Sequence, residues 1–266
     1  MLKTITSIHN TLIKELYQLK EKSKKRKQSN TFLIEGKREI SLAQQGNFLL
    51  QKVLFNPSII SESEISEIIV KTNSIEFIEI TNEIYKKLAH RSSTEGILAI
   101  AKSRDFDILN FKLSTKNPLI IVAEAPEKPG NIGALLRTAD AANVDAVFIA
   151  NPKTDLFNPN IIRSSVGTVF TTPIAMGSTT SIISFLKENN ICIFCAALTA
   201  SKPYTKIDYK KASAIVVGTE ATGLSKEWLS NSTQNIIIPM RGKIDSMNVS
   251  VSAGILVFEA VRQRNI

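Results

Sequence analysis

The sequence predicts an α/β protein of two domains, the second of which is built on a mostly parallel sheet. Its 266 residues exceed the size of one ordinary domain, and 43% of them are hydrophobic, which is enough for a sizeable core. In the second half, runs rich in Ile and Val alternate with helical patterns, as strands buried on both faces of a parallel sheet do. No internal repeat or membrane-length apolar run interrupts this pattern.

Residues 1–110 are predicted to form the smaller domain, in which strands and helices alternate. It begins with a helix that places Leu12, Ile13, Leu16 and Leu19 on one face. The later elements are expected as strands at 31–36, 52–55, 77–80 and 96–101, with helices through Ile40 and Leu42 and over 61–71. The segment 103–117 lacks a strong apolar period, so we predict a linker there and a domain boundary near residue 110.

Residues 111–266 are predicted to form the larger, mostly parallel α/β domain. Strands are expected at 119–123, 146–150, 191–197, 214–217 and 235–238, and helices at 133–142, 178–188 and 249–264. Cys192 and Cys195 lie within the third of these strands, and a zinc site would need further ligands. Two buried thiols in a reducing compartment are therefore predicted. The chain also lacks an apolar leader, so a cytoplasmic location is expected.

The chain carries a formal net charge of +9, which favours a polyanionic partner such as RNA. Residues 1–38 account for much of the excess, with ten Lys or Arg against three Glu. Six basic residues cluster at or just past the end of the first helix: Lys20, Lys22, Lys24, Lys25, Arg26 and Lys27. Two interpretations fit this cluster, a solvated helix end favoured by the helix dipole and a patch that binds RNA phosphates.

Candidate chemistry is concentrated in three loops of the second domain, at 124–133, 217–225 and 238–250. Each loop follows a predicted strand, and open α/β sheets bind their ligands at this edge. The phosphate-binding motifs G-x-G-x-x-G and G-x-x-x-x-G-K-S/T are missing, as is the nucleophile elbow G-x-S-x-G. Both histidines, His9 and His90, lie in the first domain. Chemistry in the second domain must therefore use Arg, Lys, carboxylates, amides or backbone groups.

The residues of these loops resemble, in order and spacing, the three motifs of the SpoU-type RNA 2′-O-ribose methyltransferases. The matching stretches are PGNIG at 129–133 with RTA at 137–139, GTE at 218–220 with GLS at 223–225, and IPM at 238–240 with SMNVSV at 246–251. Residues 155–167 resemble the family's intervening loop. FLIEG at 32–36 and EGILA at 95–99 resemble its substrate-binding domain, which has a ribosomal-protein-like RNA-binding fold.

This resemblance implies a deep trefoil knot in the second domain, S-adenosylmethionine bound in the knotted loops, and a homodimer that completes the site. The implied cofactor contacts are Gly218, Ile238 and Met247. The polar residues implied around the reacting centre are Asn131, Arg137, Glu220, Ser246 and Asn248. RNA contacts are expected from Arg163 and from the basic cluster.

Two positions depart from the family's pattern. Lys128 stands where many relatives have an acidic residue, and Ala221 where a glycine is common. The expected function is methylation of a ribose 2′-hydroxyl in structured RNA, with 23S ribosomal RNA as the expected substrate. Transfer RNA as substrate and a non-catalytic RNA-binding protein are the alternatives. A nucleotide-dependent enzyme of ordinary doubly wound topology lacks the motifs that it would need.

Overall fold

The structure, a computed structural model, describes residues 3–70, 74–90, 95–199, 201–219 and 222–264. The chain divides into two compact units. Unit 1 comprises Met1–Asp105 and Thr154–Thr171, and unit 2 comprises Phe106–Lys153 and Thr172–Ile266. Within the described ranges, no helix combines the length and apolar character needed to cross a bilayer.

The helices and strands alternate along the chain, which confirms the predicted α/β class. In chain order, the first elements are β1 (Lys3–Ile5), α1 (Thr11–Glu21), α2 (Ser23–Ser29), β2 (Thr31–Glu35), α3 (Lys37–Gln45), β3 (Leu50–Phe55), α4 (Glu62–Ile68), β4 (Glu76–Ile80), α5 (Asn82–Leu88) and β5 (Ile97–Lys102). The others are β6 (Leu119–Glu124), α6 (Pro129–Ala141), β7 (Ala146–Ala150), α7 (Pro159–Ser164), β8 (Ile174–Gly177), α8 (Thr179–Glu188), β9 (Cys192–Ala196), β10 (Ser201–Pro203), β11 (Ser213–Val217), α9 (Lys226–Asn231), β12 (Gln234–Ile237) and α10 (Val249–Arg264).

Unit 1 contains a mixed sheet of five strands in its described part, in the order β1-β4-β3-β5-β2. Strand β5 runs antiparallel to β2 and β3, whereas β4 runs parallel to β1 and β3. Ile13, Leu16 and Leu19 of α1 are buried in its core, as their spacing predicts. The sequence analysis did not predict β1, which has only three residues, or α5, whose first turn is capped by Thr81.

The segment Thr154–Thr171 belongs to unit 1 through aromatic packing and one ion pair. The ring of Phe157 stacks on that of Phe32 with 4.0 Å between centroids, and Phe170 lies at 5.8 Å from the same ring. Asp155 accepts hydrogen bonds of 3.0 and 2.8 Å from the guanidinium of Arg26. These partners are distant in the sequence, which explains why the residue pattern alone grouped this segment with 111–266.

The basic cluster lies at and just past the end of α1, as predicted: Lys20 is in the last turn of α1, and Lys24, Lys25, Arg26 and Lys27 form a separate short helix, α2. At Lys22 the backbone is extended (φ −116°, ψ 113°), so α1 stops and α2 begins after it. Arg26 is only 4% exposed and donates to the carbonyl oxygens of Leu19 and Lys20 as well as to Asp155. The expectation that Arg26 contacts RNA is therefore wrong, because its guanidinium is buried and occupied.

Unit 2 contains a parallel sheet of seven strands in its described part, in the order β10-β12-β9-β11-β6-β7-β8. This confirms the predicted parallel sheet, and all five expected strands are present with small differences at their ends. The sequence analysis missed two short strands, β8 and β10. Because β12, β9, β11 and β6 are neighbours and parallel, their carboxyl ends lie at one edge.

Two local predictions in unit 2 need correction. Helix α6 begins at Pro129, not at residue 133, because proline fits the first helical position, where no backbone N–H is required. Arg137 consequently lies in the third turn of α6 rather than near its first turn. The predicted linker contains ordered structure as well, since Ile108 is buried in the core of unit 2 and Asp107 pairs with Met176.

Candidate cofactor and catalytic site

Loops that follow β9, β11 and β12 enclose a cavity of about 470 Å³, here called the large cavity. This volume lies within the range of small-molecule binding sites. Gly218, Ile238 and Met247, the residues expected to contact a cofactor, all lie in its wall. Ser246 lies in the wall as well and donates a hydrogen bond to Asp245 at 3.1 Å. The structure thus brings together residues from the second and third loops of the predicted site.

The second loop is a tight turn that requires glycine at position 218. Thr219 and Gly223 exchange backbone hydrogen bonds of 3.2 and 3.0 Å, which folds the loop back on itself. A Cβ atom on Gly218 would lie only 2.3 Å from the carbonyl carbon of Gly223. The departure from the family pattern at Ala221 and the predicted site residue Glu220 both lie outside the described residues.

A second cavity of about 240 Å³, here called the small cavity, adjoins the large one. The two cavities share Gly218, Thr219 and Val249 in their walls. Asn131 lines the small cavity, and its Oδ1 accepts a hydrogen bond of 3.2 Å from Nδ2 of Asn248. The first and third loops are therefore joined by two of the predicted site residues.

Asn248 also organises the start of α10. Its Oδ1 accepts from the backbone N–H of Ser250 at 3.0 Å and from the Ser250 hydroxyl at 2.6 Å. A side-chain oxygen that accepts from the first turn of a helix satisfies N–H groups that the helix itself leaves unpaired. One amide side chain thus caps the last helix with its oxygen and holds Asn131 with its nitrogen.

Glu124 is a site residue that the sequence analysis did not single out. Its carboxylate is 6% exposed at the end of β6 and lines the small cavity. One oxygen accepts from the backbone N–H of Ser225 at 2.8 Å, and the other accepts from the Thr179 hydroxyl at 3.2 Å. The available sequence signal was a carboxylate at the end of an otherwise apolar strand, LIIVAE. Glu124 fastens the second loop to β6 and α8.

The remaining predicted residues are more dispersed. Arg137 is exposed on α6 and is not among the described residues that line either cavity. Arg163 is exposed on α7, which belongs to unit 1. In the basic cluster, Lys22, Lys24 and Lys27 are exposed, whereas Lys20 and Lys25 are half-buried.

The two cysteines differ in their surroundings. Cys195 is buried in β9, and this burial raises the pKa of its thiol to about 12. Cys192 is only half-buried, so the prediction of two buried thiols is correct for Cys195 and wrong for Cys192. A thiol with so high a pKa remains protonated at neutral pH and is a poor nucleophile.

A parallel sheet whose edge loops enclose adjoining cavities is the arrangement of an α/β enzyme domain. Residues 118–258 match the family model described as the SpoU rRNA Methylase family, and this match covers more than half of the chain. Residues 10–99 match the MRM3-like substrate binding domain. The chain belongs to the SpoU rRNA Methylase family, which confirms the resemblance in the loop motifs.

Full-length relatives support the same assignment. The chain is 28% identical over 257 residues to the 23S rRNA (guanosine(2553)-2′-O)-methyltransferase RlmP of Bacillus subtilis (strain 168), covering 97% of this chain and 98% of that protein. A solved structure of an RNA 2′-O ribose methyltransferase is 36% identical, covers 99% of this chain and 100% of its own, and superposes with a TM-score of 0.86. An AdoMet-bound rRNA methyltransferase from Sinorhizobium meliloti shares the fold, with a TM-score of 0.86 at 24% identity and coverage of 98% of both chains.

Proposed function

We propose that this protein transfers the methyl group of S-adenosylmethionine to the 2′-hydroxyl of a ribose in 23S ribosomal RNA. The observation that carries this proposal is the convergence of the sheet-edge loops on two adjoining cavities, in a chain of the SpoU rRNA Methylase family. Similarity to a 23S rRNA 2′-O-methyltransferase over 97% of the chain supports ribosomal RNA as the substrate.

The large cavity suits S-adenosylmethionine in size and in chemistry. Gly218 lets the second loop turn tightly against Gly223, and this turn forms one wall of the large cavity. Ile238 and Met247 add apolar surface, and the backbone amides and carbonyls of the loops can serve the polar edge of an adenosine. When bound, S-adenosylmethionine supplies a methyl carbon that is activated by a positively charged sulfur.

The small cavity is the position that we assign to the target ribose. In-line displacement requires the accepting oxygen to lie directly opposite the leaving group, so the two binding positions must adjoin. The cavities share Gly218, Thr219 and Val249, which meets this requirement. Asn131, held by Asn248, is placed to orient the ribose.

We assign to Arg137 the role of stabilising the negative charge that develops on the attacking 2′-oxygen. A guanidinium stays charged at all working pH values and presents a fork of donors, so it can hold a phosphate and stabilise the attacking 2′-oxygen. It scarcely gives up its own proton, so the proton of the hydroxyl leaves to water or to a phosphate oxygen of the RNA. Ser246 and Glu220 complete the polar surroundings in this proposal.

A homodimer is part of the proposal, because the cavity walls lack the guanidinium of Arg137. Helix α10 packs on α6, which carries Arg137, and exposes the apolar side chains of Val251 (51%) and Phe258 (49%). A second copy of the chain would cover these side chains and supply a guanidinium at the same time.

A trefoil knot in unit 2 is also part of the proposal. After β12 the chain returns past β9 and β11 through residues 238–248, and α10 then packs on α6, β6 and β11. Residues of this return segment and of the loop that follows β11 line the same cavity. This arrangement supports a chain that passes through an earlier loop.

Unit 1 is assigned to RNA binding. Its residues 10–99 match a substrate binding domain. Lys22, just before α2, and Lys24 and Lys27 within α2 are exposed and available to phosphates. Arg163, exposed on α7, is the further expected contact. A cytoplasmic location goes with this substrate.

The test is transfer of radiolabelled methyl from S-adenosylmethionine into RNA from cells that lack this protein. Wild type is expected to label 23S ribosomal RNA in a 2′-O-methylated nucleotide, and Arg137→Ala to abolish labelling with little loss of cofactor binding. Lys206→Ala, which removes another exposed basic side chain of unit 2, serves as the control. Label in transfer RNA would favour the alternative substrate, and a fully active Arg137→Ala would refute the assigned role of Arg137.

A further inference from the structure

Tyr17 on α1 is an aromatic ring exposed in basic surroundings. It is 42% exposed, whereas Ile13, one turn earlier on the same helix, and its neighbour Leu16 are buried. The ammonium groups of Lys20 and Lys87 each lie 5.9 Å from the centre of its ring. An exposed tyrosine with two ammonium groups near its ring presents both an aromatic surface and positive charge, and we call Tyr17, Lys20 and Lys87 together the Tyr17 platform.

The position of Lys20 is fixed by hydrogen bonds. Its ammonium donates to the carbonyl oxygens of Ala89 at 2.9 Å and Lys87 at 3.3 Å, just after the end of α5. These bonds tie α1 to the C-terminal end of α5, which carries Lys86 and Lys87 in its last turn. The ammonium group of Lys20 is therefore held beside the ring by the fold, whereas Lys87 brings its charge there from an exposed side chain.

Arg163 adds one further positive charge to this part of unit 1. His90 and Arg163 line a shallow depression together with Glu35. Burial lowers the pKa of His90, and the positive charges of Lys20 and Arg163 lower it further, against the opposing effect of Glu35. Lys20 and Arg163 thus act on the same part of the surface, which joins the platform to a predicted RNA contact.

We propose that the Tyr17 platform binds an unpaired nucleotide of the RNA substrate, with its base stacked on the Tyr17 ring and the neighbouring phosphates held by Lys20 and Lys87. The inference rests on the proposed function, because it takes RNA as the substrate. Proteins that bind single-stranded nucleic acid without sequence preference use aromatic rings that stack on the bases and cationic side chains that contact the phosphate backbone. Proteins that recognise structured RNA also use unpaired, splayed-out bases in this way.

The test measures binding of the full-length protein to a fluorescein-labelled single-stranded RNA and to the duplex of the same sequence. Tyr17→Ala is expected to weaken single-strand binding by about tenfold or more, and to leave duplex binding nearly unchanged. Tyr17→Phe keeps the ring and should bind as wild type does, whereas Tyr17→Leu keeps apolar volume without the ring and should resemble Tyr17→Ala. Lys87→Ala should lower the slope of log K against log salt by about one, and so weaken both RNAs.

Controls separate this inference from the proposed function. Thermal unfolding and calorimetric binding of S-adenosylmethionine should be the same in wild type and Tyr17→Ala, because the ring lies in unit 1 and is exposed. A wild type that transfers methyl groups while Tyr17→Ala binds single-stranded RNA normally would overturn the platform alone. A wild type that binds single-stranded RNA through Tyr17 without transferring methyl groups would overturn the proposed function alone.

Discussion

Replacing Gly218 by alanine tests whether the turn of the second loop creates the large cavity. The added Cβ would lie 2.3 Å from the carbonyl carbon of Gly223, 2.4 Å from its oxygen and 2.6 Å from the nitrogen of Leu224. All three are backbone atoms, so no side chain can rotate away to relieve the contact. Carbon atoms pack at about 3.5–4.0 Å, so the end of β11 and Gly223 must separate by about 1 Å.

A separation of this size would break the pair of hydrogen bonds between Thr219 and Gly223 and displace one wall of the large cavity. Misplacement of reacting groups by about 1 Å can reduce catalysis by about 100-fold. We therefore expect kcat/KM of Gly218→Ala to fall by about 100-fold, with a large rise in the Kd for S-adenosylmethionine and unchanged RNA affinity.

Calorimetry for the cofactor and radiolabelled methyl transfer for the reaction are the appropriate assays. Gly242→Ala is the matched control, because it adds the same methyl group in the third loop, where no atom lies within 4 Å of the new Cβ. A Gly218→Ala protein that binds S-adenosylmethionine with the affinity of wild type would refute the reasoning, since the contact could then be relieved without moving the cavity wall.

Three further predictions concern buried polar and charged side chains. Glu124→Gln keeps the shape of the side chain, but its two terminal atoms cannot both accept hydrogen bonds from Ser225 and Thr179 as the carboxylate does. We therefore expect the Kd for the cofactor, measured by calorimetry, to rise about tenfold. An unchanged Kd would show that cofactor binding does not need the hydrogen bond between Glu124 and the second loop. Arg26→Ala leaves a carboxylate unpaired and should lower the free energy of unfolding in urea by about 3–5 kcal/mol, while methyl transfer per folded molecule persists. Burial alone would raise the pKa of Asp155, but hydrogen bonds from Arg26 and Ser23, together with the charge of Arg26, outweigh it and lower the pKa. Asp155 therefore stabilises the fold above the ordinary aspartate pKa of about 4, and this contribution is lost as the pH falls below it. Asp155→Asn should make the free energy of unfolding less dependent on pH in this acidic range. An unchanged pH dependence would contradict the assignment.

The parallel sheet of unit 2 was predictable because its strands are buried on both faces. A strand of this kind needs apolar residues at every position, so LIIVA at 119–123 and AVFIA at 146–150 stand out from any polar neighbour. Strand β10, with the sequence SKP at the edge of the sheet, has no such constraint and leaves no pattern. Strands were predicted correctly where burial restricts them to apolar residues, and β10 was missed because an edge strand is not restricted in this way.

The roles of individual charged residues were less accessible, because they depend on partners far along the chain. Arg26 appeared to be one of six equivalent basic residues, yet its partner Asp155 lies 129 positions away. Glu124 likewise bonds to residues 55 and 101 positions away. The spacing of apolar residues indicates which face of a helix or strand is buried. It does not indicate which distant side chain will pair with a buried charge.

The candidate site lies between these two extremes. Three loops that each follow an apolar strand must share one edge of a parallel sheet, so the sequence alone predicts that they are close. The order of strands decides which loops touch: β11 lies beside β6, so the second loop adjoins the first, whereas β9 separates β11 from β12. The gap over β9 is where the large cavity forms, and the junction over β6 and β11 is where Asn131 and the small cavity lie. The division into a large and a small cavity therefore follows from the crossover that inserts β11 next to β6, which residue spacing does not encode.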